Sequence, residues 1–207
     1  MGAKPTPEQF TAYQAMFDHF NRELFAGKDR LPPVLLNFSR HAGAFGFFAP
    51  ERWKHGQATT HEISLNPTHL RTRPPREVAA TLVHEMVHLW QQEHGEPSRS
   101  GYHNQEWAAK MEEVGLMPSS TGAPGGARIG QRMSHYVIDG GAFAAAFRRL
   151  PREALPWQHV VEPSSTKTKK RADKVKYTCP DCEINVWGKS GLALGCIECE
   201  QELEEQD

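Results

Sequence analysis

Apolar side chains recur at intervals of three and four between residues 7 and 24. Phe10, Tyr13, Phe17, Phe20 and Leu24 there fall on one face of an amphipathic helix, which Gly27 closes. The pattern then shortens. Residues 33–38 (Val34, Leu35, Leu36, Phe38), 43–48 (Phe45, Phe47, Phe48) and 59–65 read as three strands. Gly43 and Gly46 in the second suggest a bulge or a close backbone approach, and Asn66-Pro67 ends the third. A second helix is opened by Pro74-Pro75 and Arg76-Glu77 and stopped by Gly95, with Pro97 just beyond. Its central stretch, 78–90, is apolar except at Thr81, His84, Glu85 and His88, as expected of a helix buried on all sides. Residues 96–102 form a loop. Residues 103–114 read as a helix with Asn104 as N-cap and Trp107, Met111 and Val114 turned inward. A glycine-rich loop at 118–130, a strand at 133–138 and a short helix at 143–150 follow. The expected class is α+β, with a small three- to four-stranded sheet packed on the second helix.

The polar residues of that helix carry the chemistry. His84-Glu85-x-x-His88 places two imidazoles four residues apart, one above the other on the same face. Buried there without partners they would be costly, and a Zn²⁺ held by both supplies one. Glu85 then stands beside the metal as general base for an activated water. With 11 histidines in the chain, composition alone would give this motif in about one such chain in twenty. The capped, core-like helix around it is what argues for a zincin-like metalloprotease site rather than a structural histidine pair.

A catalytic zinc takes three protein ligands and leaves one position open. His94, Glu106 and His103 compete for the third place. His94 matches a longer pattern that needs glycine at position 91, where this chain has Gln91. If the helix runs on to Gly95, His94 is rotated off the metal face. Glu106 would give a two-histidine, one-glutamate site. His103, which a short loop can return beside the helix, is favoured, but spacing alone leaves the choice open. For the developing oxyanion, His135 and Tyr136 are candidate partners, and 45–48 is the candidate edge strand for a peptide substrate.

Composition agrees with a soluble enzyme. The chain has 207 residues, 38% of them hydrophobic, with a formal net charge of −1. Overall charge therefore selects no class of partner, and only local patches can. No apolar run reaches membrane-spanning length and no signal sequence is apparent, so a cytoplasmic protein without membrane contact is expected.

All four cysteines lie near the C-terminus, as Cys179-Pro-Asp-Cys182 and, thirteen residues on, Cys196-Ile-Glu-Cys199. Two chelating pairs at this spacing predict a closed structural zinc site, a four-cysteine zinc ribbon. The cofactors expected are thus two Zn²⁺, one catalytic and one structural. Before the ribbon runs a basic stretch with Lys167, Lys169, Lys170, Arg171, Lys174 and Lys176, and inside it are Tyr177, Trp187 and Lys189. Cations beside aromatic rings suit a nucleic-acid backbone and its stacked bases, single strands above all. A solvated linker, with Trp187 covering the ribbon's small core, is the plainer alternative, and the acidic stretch 198–207 could neutralise the basic run. The expected organisation is a metalloprotease domain at 1–160, a basic linker at 161–176, and the ribbon with its acidic tail at 177–207.

His84-Glu85-Met86-Val87-His88, then fourteen residues before His103 in Gly101-Tyr102-His103-x-x-x-Trp107, resembles the SprT-like metalloprotease family, which includes the DNA-repair protease Spartan. The resemblance spans roughly residues 7–150, and a C-terminal zinc ribbon is common among bacterial members. It implies His103 as third ligand, with Trp107 as the aromatic residue that follows. It also implies a protease acting on DNA-bound or DNA-crosslinked proteins, with a nucleoid-associated location in a bacterium. Protein substrates and DNA are the partners so implied, and the oligomeric state is left open.

Overall fold

The computed structural model describes residues 4–151, 155–157 and 174–206. The chain divides into two compact units, Met1–Val161 and Glu162–Asp207, each described here by itself. Lys167, Lys169, Lys170 and Arg171 lie outside the described residues, as does most of the expected linker.

The first unit opens with α1 (Pro5–Leu24), which has proline in its first turn and buries Tyr13, Met16, Phe17 and Phe20. Phe10, at the edge of this stripe, stays 38% exposed and meets Phe38 edge-on. Asn21 ties the following loop down by bonding both backbone groups of Leu31. Three strands follow: β1 (Leu35–Phe38), β2 (Gly46–His55) and β3 (Ala58–Leu65). They lie in the order β1-β3-β2, with β1 parallel and β2 antiparallel to β3. β2 is therefore an edge strand, and it runs seven residues beyond the expected Phe48. A bulge between Ala49 and Trp53 accommodates Pro50, and Trp53 Nε1 donates to Glu62 Oε2 on β3 at 2.7 Å.

α2 (Pro75–His94) crosses this sheet and is buried along most of its length. At its start the Arg73 guanidinium bonds Glu77 and the Thr81 hydroxyl, and at its end Gly95 closes the last turn on the Gln91 carbonyl. Beyond it come β4 (Tyr102–His103), α3 (Gln105–Glu113), β5 (Leu116–Ser119), β6 (Gly130–Gln131), β7 (Ser134–Val137) and α4 (Ala142–Arg149). β4 pairs with β6 and β5 with β7, both antiparallel. The Asn104 side chain caps α3 by accepting the Trp107 N–H at 3.0 Å, as its position suggests. His103 sits just before that helix, on β4. β5 occupies residues whose Pro118 suggests loop; as a two-stranded pair with β7 it buries Leu116, Pro118 and Ser119. α4 returns to α1, where Phe143 stacks on Phe20. The class is α+β.

The second unit is small. β8 (Val175–Thr178), β9 (Asn185–Gly188), β10 (Gly195–Cys196), β11 (Gln201–Glu202) and β12 (Glu204–Gln206) form a three-stranded sheet, order β12-β8-β9, and a β10-β11 pair. Among its described residues the buried ones are Tyr177, Cys179 and Leu203.

Candidate functional site

His84 and His88 project from α2 one turn apart, and β4 brings His103 against them. One nitrogen from each ring lies within 4.8 Å of those of the other two. His88 Nε2 and His103 Nε2 are 3.1 Å apart. Two ligands of a tetrahedral zinc, each about 2.0–2.1 Å from it, would be separated by roughly 3.3 Å. His88 and His103 are therefore spaced as two ligands of one metal would be, and the three imidazoles together could hold an ion. Trp107 of α3, fully buried, lies against all three, with ring centroids 5.0, 5.4 and 4.3 Å from His84, His88 and His103. It is the wall that holds the cluster together.

Burial also sets the protonation states. It holds His84 well below the ordinary imidazole range, with the neighbouring rings of His135, His88 and His103 adding to the effect. It brings His88 down to about 3, and lowers His103 as well. All three are neutral, the form that binds a metal. Glu85 is fully enclosed beside them. Burial pushes its carboxyl up to about 8, opposed by a hydrogen bond from the Phe48 backbone N–H. A divalent cation alongside would pull it back toward the ionised state.

The sheet reaches the site through the start of β2. At Gly46 an added Cβ would lie 3.0 Å from the Ser64 carbonyl oxygen, 3.1 Å from Thr81 Cγ2 and 3.3 Å from Glu85 Oε1. The edge strand thus passes directly beside the candidate base, with Phe45 46% exposed next to it.

The two rivals for the third ligand are engaged elsewhere. His94 Nε2 bonds the Arg30 carbonyl at 3.2 Å. Glu106 Oε2 accepts from Gln91 Nε2 at 2.7 Å and from the Glu96 N–H at 2.8 Å, which clamps the end of α2. His135, suggested for the oxyanion, has its Nδ1 3.0 Å from His84 Nδ1. Burial, with Arg73 adding to it, brings His135 down to about 4. Tyr136 follows it on β7 and so points to the opposite face of that ladder. The Gly130 carbonyl, 3.2 Å from His103 Nδ1, was invisible in the sequence because backbone atoms leave no residue-type signal.

In the second unit the four sulfurs of Cys179, Cys182, Cys196 and Cys199 also converge within 4.8 Å. Cys182 Sγ and Cys196 Sγ are 3.7 Å apart. Thiolates about 2.3 Å from a tetrahedral zinc would be separated by roughly 3.8 Å. Backbone N–H groups of Cys182 and then Asp181 point at the Cys179 sulfur and bring its thiol down to about 7, below the ordinary thiol range. Trp187 lies across from Lys176 on the sheet and is 62% exposed, so it does not cover the ribbon's core; Tyr177 and Leu203 do.

A comparison with curated proteins finds no match. A family model described as the SprT-like family matches residues 13–126, from α1 through the His84–His88–His103 cluster and more than half of the 207 residues, and the chain therefore belongs to the SprT-like family.

Proposed function

We propose that this protein is a zinc-dependent endopeptidase with the chemistry centred on His84, Glu85, His88 and His103. The observation that carries this reading is the placement of Glu85. A structural metal site has no use for a carboxyl buried beside three converging imidazoles and next to an exposed sheet edge. When bound, zinc supplies Lewis acidity toward a carbonyl oxygen and toward water. Glu85 takes the proton from the attacking water and passes it to the departing amine. The edge of β2 receives an extended peptide by main-chain hydrogen bonds, which sets the scissile bond close to Glu85. The ribbon carries a second, structural zinc on its four cysteines.

Proteins associated with DNA are the proposed substrates. Membership of the family supports this, as do the exposed Trp187 and the Lys176 across from it, a pairing suited to stacking on a single-stranded base. One observation favours a second reading, a peptidase with no link to DNA. Over 174–206 only Lys174, Lys176 and Lys189 are basic, against Asp181, Glu183, Glu198, Glu200, Glu202, Glu204 and Glu205. Attraction to phosphate must then come mainly from Lys167, Lys169, Lys170 and Arg171.

The test is proteolysis of a basic DNA-binding protein, with and without single-stranded DNA, by wild type and by Glu85→Gln. The variant is expected to keep its metal and lose cleavage, and DNA is expected to raise the wild-type rate. Cleavage unaffected by DNA leaves the peptidase and removes the nucleic-acid role. Equal cleavage by both proteins would sink the assignment of Glu85. Inactivity of both across several substrates, with two metals bound, would favour a non-proteolytic binding module.

A further inference from the structure

His84 and His103 each have their Nδ1 engaged by one short segment, 130–135. For His103 the partner is the Gly130 carbonyl, 3.2 Å from Nδ1. A carbonyl only accepts, so His103 carries its proton on Nδ1 and keeps Nε2 free as a ligand. For His84 the partner is another imidazole, His135, with the two Nδ1 atoms 3.0 Å apart.

Two facing ring nitrogens share one proton between them. If His84 donates, its Nε2 bears a lone pair and can bind a metal. If His135 donates, the neutral His84 carries its remaining proton on Nε2 and cannot. The direction of this one hydrogen bond decides whether the first histidine of the motif is a ligand at all. His135 is not itself a member of the converging set, which among the described residues comprises His84, His88 and His103. Its backbone is fixed on β7 opposite Pro118, and its ring lies 5.1 Å from that of His84, centroid to centroid.

We propose that His135 is a positioning residue of the metal centre, whose Nδ1 accepts the Nδ1–H of His84 and so fixes the His84 tautomer that presents Nε2 to the metal. This rests on reading the cluster as a metal site. The role lies outside the stretch matched by the family model, which ends at residue 126. It uses an imidazole where such partners are usually carboxylates, backbone carbonyls or water.

The test uses the full chain with its cysteine site saturated with zinc, into which cobalt(II) is titrated and its visible spectrum read. His135→Asn keeps an acceptor close to the position of the ring Nδ1; His135→Phe keeps the ring volume without one. The asparagine variant is expected to bind cobalt much as wild type does, with the same spectrum. The phenylalanine variant should lose about 10–100-fold in affinity, as loss of an outer hydrogen bond to a metal ligand commonly does. Wild-type affinity in His135→Phe, or equal losses in both variants, would overturn the proposal. A readout independent of folding in the variants is the imidazole nitrogen spectrum of wild type with the histidine site metal-free. Protonation of His84 at Nδ1 and of His135 at Nε2 is expected, and the reverse overturns it. If wild type takes up no cobalt beyond the cysteine site, the metal-centre reading itself falls, a result distinct from any of these.

Discussion

At the scale of single residues, the side chains that converge in the candidate site were legible and those around them were less so. His84, Glu85 and His88 announce themselves because, Thr81 apart, they are the only polar residues in the apolar stretch 78–90 of α2. His103 could be narrowed but not fixed by spacing. What engages Glu106 elsewhere is a pair of hydrogen bonds from Gln91 and Glu96 that only the folded chain shows. Gly46 is the clearest case of a partly readable residue, since its sequence suggested close approach without saying to what. It approaches the candidate base itself, and Gly46→Ala should therefore impair catalysis without touching a ligand. The new methyl group meets the Ser64 carbonyl, which as backbone gives way poorly, and the Thr81 methyl and Glu85 carboxylate on the other side. Such overpacking costs about 1–3 kcal/mol. We expect a lowered melting temperature, unchanged metal content and a fall in peptidase rate. Full activity in this variant would show that Glu85 tolerates displacement, contrary to a role as the positioned base.

At the scale of elements, burial decided what could be foreseen. α1, α2 and α3 bury one or more faces, and their periodicity showed them. The outer half of β2 buries none. Its residues 50–55 are exposed and interrupted by proline, and they are held by pairing with β3 and by the Trp53–Glu62 bond instead. β5 is buried and hid for a different reason, behind Pro118 and in a strand of four residues. The convergence of the cysteine loops was legible in their spacing, yet their backbone was not. The residue after each pair, Glu183 and Glu200, has a left-handed conformation, φ 56 and φ 55. A side chain there costs about 1–2 kcal/mol, which glycine avoids at an entropic cost of about 0.5–1 kcal/mol. Glu183→Gly and Glu200→Gly should each leave the ribbon equally or slightly more stable, by up to about 1 kcal/mol, measured as resistance to a chelating competitor. A clear loss in either would reveal that its carboxylate contributes a contact of its own.

The chain contains two very different cores, and metal removal should distinguish them. The first unit has a continuous buried core contributed by every helix and by β1, β3 and β5, from Tyr13 to Leu155. Three imidazoles at the side of such a core add stability when they bind metal, but the hydrophobic burial does not depend on them. The second unit buries Tyr177, Cys179 and Leu203, and one of those three is a candidate metal ligand. So few apolar contacts cannot offset the conformational entropy of ordering its strands, and a metal on the four sulfurs would substitute for the missing core. Treating the full chain with a strong chelator under reducing conditions should therefore abolish amide-exchange protection in β8 to β12. Protection in α1, α2 and the β1-β3-β2 sheet should persist, with a modest fall in melting temperature. Readdition of zinc should restore both. Retained protection of β8 to β12 after complete metal removal would mean that the ribbon folds on contacts other than the four sulfurs. Loss of protection throughout would instead mean that His84, His88 and His103 hold the first unit together, and a purely catalytic account of that cluster would no longer stand.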